Sequence, residues 1–237
     1  MRSVRIIGGG RAGGALTRAL DGSAWRVVDL IGRDGDIAGA AEDVDLVVIA
    51  TPDDVIADVA RTIRPSDTTV IAHMAGSRGL DDLGPHVRRA AIHPLVALPD
   101  AEIGAGRLRS GVWFATAGDD LVSELVSELG GEEFTIANDD RACYHAAAVI
   151  ASNHLVAVLG QAERIGGSAG VPFEALMALV RATVDNVAEL GPAVALTGPA
   201  ARGDDETIQR HRDALPDEEL AAYDALVAEA RRLAGGR

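Results

Sequence analysis

The chain has 237 residues, a formal net charge of -14 from 36 acidic and 22 basic side chains, and a hydrophobic content of 48%. This length and apolar content suit one large or two small packed domains and argue against disorder, while the acidity opposes binding to a nucleic-acid backbone. All 22 basic residues are arginine, so lysine chemistry (Schiff base, lysine general acid, P-loop lysine) is excluded.

One cysteine, Cys143, leaves neither an internal disulfide nor a cysteine-based zinc cluster to expect, and no metal site is assigned. The N-terminus enters a strand directly and carries no secretory cleavage pattern. No unbroken apolar run approaches the roughly 18 to 20 residues of a membrane span. The expected setting is a reducing cytoplasm, without membrane or nucleic-acid partners.

Along the chain, Arg5-Ile6-Ile7 leads into a glycine turn and a helix over residues 12–20. Strands are expected at 25–31, 45–50, 68–72, 88–92, 112–116 and 133–136, with Thr51-Pro52 closing the third strand and a helix following from Asp53 to about residue 63. The run DLVVIA at 45–50 is continuously apolar, as in a strand buried on both faces. Such alternation implies βαβ units and a mostly parallel, doubly wound sheet. From Asn138 the pattern is helical: one long helix to about residue 165, a break at 166–172, a helix over 173–190, an irregular Gly/Pro segment over 191–203, and helices near 204–214 and 217–233. The expected division is therefore an α/β domain over 1–137 and an all-helical domain over 138–237.

Gly8-Gly9-Gly10-Arg11-Ala12-Gly13 satisfies G-x-G-x-x-G between an apolar strand and an amphipathic helix, the context in which that spacing binds a dinucleotide. Gly8 allows the tight turn, Gly10 the approach of the pyrophosphate, and Gly13 close packing of helix on strand. The helix that begins at Ala12 supplies free N–H groups and a positive dipole end to the phosphates, and Arg11, inside the turn, is able to add charge. The ribose 2′ position is read about 20 residues further on, at Arg33, which suits the extra phosphate of NADP; Asp29 is the alternative ligand if the strand ends early, and Asp34 is adjacent. Thr51 and Pro52 follow the buried strand at the edge where ligands of open α/β sheets bind, although a simple helix start explains them equally well.

Hydride delivery to a carbonyl creates an oxyanion that needs donors and a proton. With lysine absent, histidine is the natural donor. His145 is placed first, on a helix face shared with Ala148, Val149, Ser152 and Val156, with Asn153 at its edge. His93, before Pro94, falls at the carboxyl edge of the sheet. The loop with Thr197, Gly198 and Arg202 is able to present a cation to a substrate carboxylate, and Thr207 and His211 share a face of the next helix. Buried polar packing, a turn histidine and a surface connector are the bland readings of these three features.

Taken together, the glycine turn, Ala50-Thr51-Pro52, His93-Pro94, Tyr144-His145 with Ser152-Asn153, and LTGP-x-x-RGD over residues 196–204 resemble the Rossmann-like proteins with a DUF2520 C-terminal domain, in the 6-phosphogluconate-dehydrogenase-like superfamily. The resemblance covers nearly the whole chain. It implies an N-terminal Rossmann sheet followed by an all-helical domain that often dimerises, NADP(H) as cofactor, and a ketopantoate-reductase-like reaction on a small 2-keto or 2-hydroxy acid. The residue reading then has Ser152, Thr197, Gly198, Arg202 and His211 meet substrate, with His145, Asn153 and His93 catalytic; if the activity implied by the resemblance is shared, His145 or Asn153 takes the donor role. The catalytic lysine of the ordinary ketopantoate reductases has no counterpart here. A prephenate-dehydrogenase-like or pyrroline-carboxylate-type imine oxidoreductase is the alternative, and a non-catalytic NADP sensor a second one.

Overall fold

The computed structural model describes residues 1–236, which divide into two compact units, one over Met1–Ser152 and one from Asn153 onward. The first unit is a seven-stranded sheet in the order β2-β1-β3-β4-β5-β6-β7. It is built from β1 (Arg2–Ile7), α1 (Arg11–Ala19), β2 (Trp25–Ile31), β3 (Leu46–Ile49), α2 (Ile56–Thr62), β4 (Val70–His73), β5 (Arg89–Pro94), α3 (Ala101–Leu108), β6 (Trp113–Gly118), α4 (Leu121–Glu128) and β7 (Glu132–Thr135). All neighbouring strands are parallel except β5 and β6, which are antiparallel. The architecture is the doubly wound α/β sheet expected from the sequence.

Strand periodicity explains the two apolar layers. All four residues of β3 are buried, but successive side chains leave opposite faces. Leu46 and Val48 join Val4, Ile6, Leu16, Leu108, Phe114 and Leu125 on one side. Val47 and Ile49 join Ile7, Ile31, Ile56, Ile63, Ile71 and Leu83 on the other. Two helices are absent from the sequence expectation: α3, whose AEIGAGRL carries two glycines, and α4. The Asp100 carboxylate caps α3 by accepting from the backbone N–H of Glu102 and Ile103, which compensates for its weak helix formers.

The long helix expected from Asn138 forms but is not uniform. A single-turn 3-10 segment (Asn138–Asp140) leads into α5 (Arg141–Val149), a π turn (Ile150–His154) and α6 (Leu155–Ser168). The wider π turn breaks the 100° phase on which the expected His145-to-Ser152 face was built, and the Ser152 hydroxyl donates back to the Ala148 carbonyl at 2.7 Å. The whole Asn138–Ser168 helix is long and apolar enough, by length and composition, to cross a membrane. Its apolar runs are short, because polar side chains interrupt a stretch that remains apolar on average. The same helix starts inside the first unit, where Arg141 is fully buried. The compact division thus falls fifteen residues beyond the compositional boundary at 137/138.

The second unit holds α6, α7 (Phe173–Leu190), α8 (Pro192–Ala195), α9 (Pro199–Arg202), α10 (Asp205–Ala214) and α11 (Asp217–Gly235). The segment 191–203, expected to be irregular, contains the two single-turn helices α8 and α9, each opened by proline after a positive-φ glycine. Arg164 of α6 pairs bidentately with Glu219 of α11 at 2.7 and 3.0 Å, and Gln161 donates to the Glu219 carbonyl.

Candidate functional site

The carboxyl ends of four parallel strands lie in one row. Ile31, Ile7, Ile49 and His73 are successive register partners across β2, β1, β3 and β4. The residues just beyond them therefore share an edge: Arg33, the turn 8–13, Thr51-Pro52, and the segment after His73. His93 of β5 extends two residues past Ala91, the partner of His73.

The glycine turn has both close packing and open space. Gly8 has φ +109°, and a Cβ there would lie 2.7 Å from the Ala50 carbonyl oxygen and 3.0 Å from the Thr51 nitrogen. A Cβ on Gly13 would overlap the Gly8 carbonyl oxygen, whereas one on Gly9 or Gly10 would meet nothing within 4 Å. The turn is thus sealed toward the sheet and open above. α1 starts at Arg11 with no side-chain cap and no acid in its first turn, so its N–H groups and dipole present positive potential to that space. The arrangement fits a pyrophosphate. β2 runs to Ile31, whose carbonyl accepts from Gly8 N–H at 2.8 Å; Asp29 therefore lies inside the strand, opposite Arg5, and Arg33 lies just past its end. Arg11 and Arg33 are both exposed, and among the described residues neither forms an ion pair.

A second group of side chains gathers at the ends of β4 and β5, under α5. His93 Nδ1 and the Tyr144 hydroxyl are 2.6 Å apart, and the rings of His93 and His145 meet edge-on with centroids 6.3 Å apart. Gly76 is the floor between them: a Cβ there would lie 2.9 Å from His145 Cδ2 and 3.0 Å from His93 Nε2 and Cε1. Burial, reinforced by the neighbouring His145 and Arg141, pushes the His93 pKa down to about 4, and burial raises the Tyr144 phenol to about 12. Both groups are therefore neutral near pH 7. We assign the phenol proton to the hydrogen bond with Nδ1, which leaves the His93 ring proton on Nε2, facing Gly76.

His73 is fully buried beside this group, with Nε2 3.3 Å from the Gly79 carbonyl and a pKa lowered to about 4 by burial and by Arg141. Asn138 accepts from the Leu80 N–H and holds the start of the long helix against the same loop. Sequence reasoning missed Arg141, and it named Tyr144 only as part of the Tyr144-His145 element, without a role in the site. Arg141 is 1% exposed, and none of its three guanidinium nitrogens has a hydrogen-bond partner among the described residues. A signal did exist in the sequence: Arg141, Tyr144 and His145 stand at i, i+3 and i+4, on one helix face.

Of the expected site residues, the first unit holds Gly8, Gly10, Arg11, Ala12, Gly13, Arg33, Thr51 and Pro52 at the turn end of the edge, and brings His93 and His145 into contact at the other. Ser152 ends the first unit and Asn153 begins the second, both in the π turn. Thr197, Gly198, Arg202 and His211 belong to the second unit. There, Arg202 is the exposed last residue of α9, the Thr207 N–H is capped by Asp204, and His211 Nδ1 lies 2.7 Å from the Tyr223 hydroxyl. Among the described residues no group of three or more His, Cys, Asp or Glu is placed to hold a metal.

The buried histidines set an acid limit on stability. His73 and His93 titrate near 6.5 when unfolded and near 4 when folded. Below 6.5 the unfolded chain takes up protons that the folded chain refuses, so stability falls with decreasing pH and levels off near 4. Urea denaturation at stepped pH should show constant stability from 8 to 7, a decline from 6.5 to 4, and a shallower decline in His73→Asn. A flat profile down to pH 4.5 would contradict this description of the site.

Residues 115–230 match the family model described as "Domain of unknown function (DUF2520)". No curated protein sequence matches the chain. Among solved structures, protein TM1727 from Thermotoga maritima is similar at 23% identity and TM-score 0.76, covering 98% of each chain. A putative NADP oxidoreductase, BF3122 from Bacteroides fragilis, is similar at 18% identity and TM-score 0.77, again over 98% of each chain. The 1-pyrroline-5-carboxylate reductase of Streptococcus pyogenes is similar at 17% identity and TM-score 0.65, over 97% of this chain and 98% of that one. These likenesses establish a common fold, a Rossmann-type sheet followed by helices. The match at 115–230 makes that part of the chain similar to the DUF2520 family, over just under half of its length.

Proposed function

We propose that the chain is an NADP(H)-dependent oxidoreductase acting on a small 2-keto or 2-hydroxy acid, with a ketopantoate-like substrate as the leading choice. The observation that carries this reading is the single sheet edge that holds an open, uncapped glycine turn at one end and the His93-Tyr144-His145 group at the other. At about 4.8 Å per strand, β5 stands roughly 14 Å from β1 along the sheet, a separation suited to a cofactor whose pyrophosphate and reactive ring are at opposite ends. The printed names of similar structures support the coarser part of this reading, an oxidoreductase that uses NADP(H): a putative NADP oxidoreductase, NADP-bound pyrroline carboxylate reductase, and reductive aminase with NADPH.

Gly8, Gly10, Arg11, Ala12 and Gly13 would hold the pyrophosphate, Arg33 the 2′-phosphate, and Thr51 and Pro52 the wall beside the turn. When bound, the reduced cofactor supplies hydride. The protein's part is to orient the acceptor and meet the charge that develops on it. His93 Nε2–H is a fixed neutral donor for an oxyanion, and the half-exposed His145 supplies the proton that completes an alcohol. Ser152, Asn153, Thr197, Gly198, Arg202 and His211 keep their substrate-side roles within the proposal, Asn153 polarising the carbonyl. The reading of the first unit does not depend on them.

The environment favours a carbonyl over an imine. A protonated imine would bring a cation to a place that already holds a buried guanidinium and keeps two histidines neutral; a carbonyl that turns anionic is stabilised there. We place the protein in the cytoplasm as a homodimer joined through the helical unit. Leu179, Val187 and Leu190 fall on one stripe of α7, at 65%, 39% and 50% exposure, and a second copy would cover them.

NADPH should stabilise the protein against heat more than NADH at equal concentration, and Arg33→Ala should cut that preference about tenfold in affinity, as expected for a charged hydrogen bond to phosphate. With NADPH, a panel of 2-keto acids should give turnover and cyclic imino acids little; His145→Ala should lower kcat roughly 10²- to 10⁴-fold. Tight NADPH binding with no turnover across the panel would instead identify a sensor. Light scattering should find a dimer that Leu179→Glu with Leu190→Glu converts to monomer; an unchanged mass would remove this face as the interface.

A further inference from the structure

We propose that Arg141 is the anion receptor of this site, and that its guanidinium pairs with the carboxylate of the substrate beside His93 and His145. The inference rests on the oxidoreductase reading for the identity of the site and adds to it the group that recognises the substrate's charge.

Three observations carry it. Arg141 is 1% exposed and its Nε and both terminal nitrogens lack any hydrogen-bond partner among the described residues. A buried guanidinium cannot escape its charge by ordinary deprotonation, and the desolvation cost of a buried ion is met only by an opposite charge with matched hydrogen bonds. No carboxylate of the first unit supplies that charge at hydrogen-bond range. Asp53, the acid that acts on both His73 and His93, is occupied by the Ser77 hydroxyl at 2.8 Å, and Asp82 acts on His73 alone while it pairs with Arg78 at 3.6 Å. The protein's other arginines are spent differently: Arg2, Arg88 and Arg164, for example, each hold a carboxylate through two nitrogens.

The second observation is place. Arg141 stands one turn before His145 on the same face of α5, at i and i+4, with Tyr144 at i+3. It acts electrostatically on His73, His93 and Tyr144, so it lies among the groups that would meet the reacting carbonyl. The third is shape. A guanidinium presents parallel N–H donors that match the two oxygens of a carboxylate, and a 2-keto acid carries its carboxylate one bond from its carbonyl. All three nitrogens are shielded from solvent, so an entering anion requires a side-chain shift to reach them. The sequence reading gave this role to Arg202, in the second unit; Arg141 offers a cation already within the histidine group.

The test uses the full chain with and without NADPH, and oxamate as a carboxylate probe that is not reduced, with oxamide as its uncharged analogue and inorganic phosphate as a competing anion. Oxamate should raise the melting temperature with or without NADPH; oxamide should not, and phosphate should not once NADPH fills the glycine turn. Arg141→Met should abolish the oxamate response and leave the unliganded protein as stable as the parent or more so, because it removes an uncompensated buried charge. Arg141→Lys should fold and raise the KM for a 2-keto acid roughly tenfold to a hundredfold with a smaller change in kcat. Exposed Arg109→Met should change nothing. A lower melting temperature or failure to fold in Arg141→Met would mean a structural role and overturn the proposal, as would a retained oxamate response or a response to phosphate in place of oxamate. Oxamate binding that depends on Arg141 without any NADPH binding would uphold this inference and sink the oxidoreductase reading; turnover with KM unchanged in both variants would do the reverse.

Discussion

The burial of one arginine governs the chemistry of the first unit. Arg141 contributes a charge that no described side chain neutralises by hydrogen bonding, and that charge helps to hold two histidines neutral, after burial at His73 and after burial and the neighbouring His145 at His93. A neutral His93 that accepts from the Tyr144 hydroxyl, as assigned above, carries its ring proton on Nε2. The local potential then favours anything that arrives negative or becomes negative. An α-keto acid does both, since it enters as a carboxylate and passes through an alkoxide. The absence of lysine from the sequence gives this arrangement its importance, because no ammonium group is present to fill either role.

The glycine turn contributes a different kind of constraint, set by backbone geometry. Side chains at Gly8 and Gly13 are forbidden by the Ala50 and Gly8 carbonyls, while the space above Gly9 and Gly10 is open. The parallel register that aligns Ile31, Ile7, Ile49 and His73 then lays the phosphate end and the histidine end along one edge. Fold and chemistry meet in that row. The same sheet that buries two apolar layers delivers its loops to a common rim.

Much of this was legible in the sequence for physical reasons. The turn is a local pattern whose meaning depends only on the strand before it and the helix after it. Arg33 was read by counting about 20 residues from the turn, and it lies just past the end of β2. His93 and His145 were each placed correctly by chain position, at a strand end and early in a helix. What was not legible depended on contacts distant in sequence. Tyr144 matters through a bond to His93, 51 residues away, and Arg141 through burial that no single-residue scale anticipates, since arginine is almost never fully buried without a partner. The π turn at Ile150–His154 has no signature in composition, yet it rotates Ser152 and Asn153 relative to a face read at 100° per residue. α3 was hidden by its glycines and recovered by the Asp100 cap.

The most direct measurement of the central claim is the titration of His93 by NMR of its ring carbon and nitrogen signals, in the parent protein and in Arg141→Met. The account predicts a neutral ring, protonated on Nε2, down to a pKa of about 4 in the parent, and an upward movement of that pKa when the guanidinium is removed. A His93 that titrates near 6.5 in the parent, or one whose titration ignores the loss of Arg141, would contradict it.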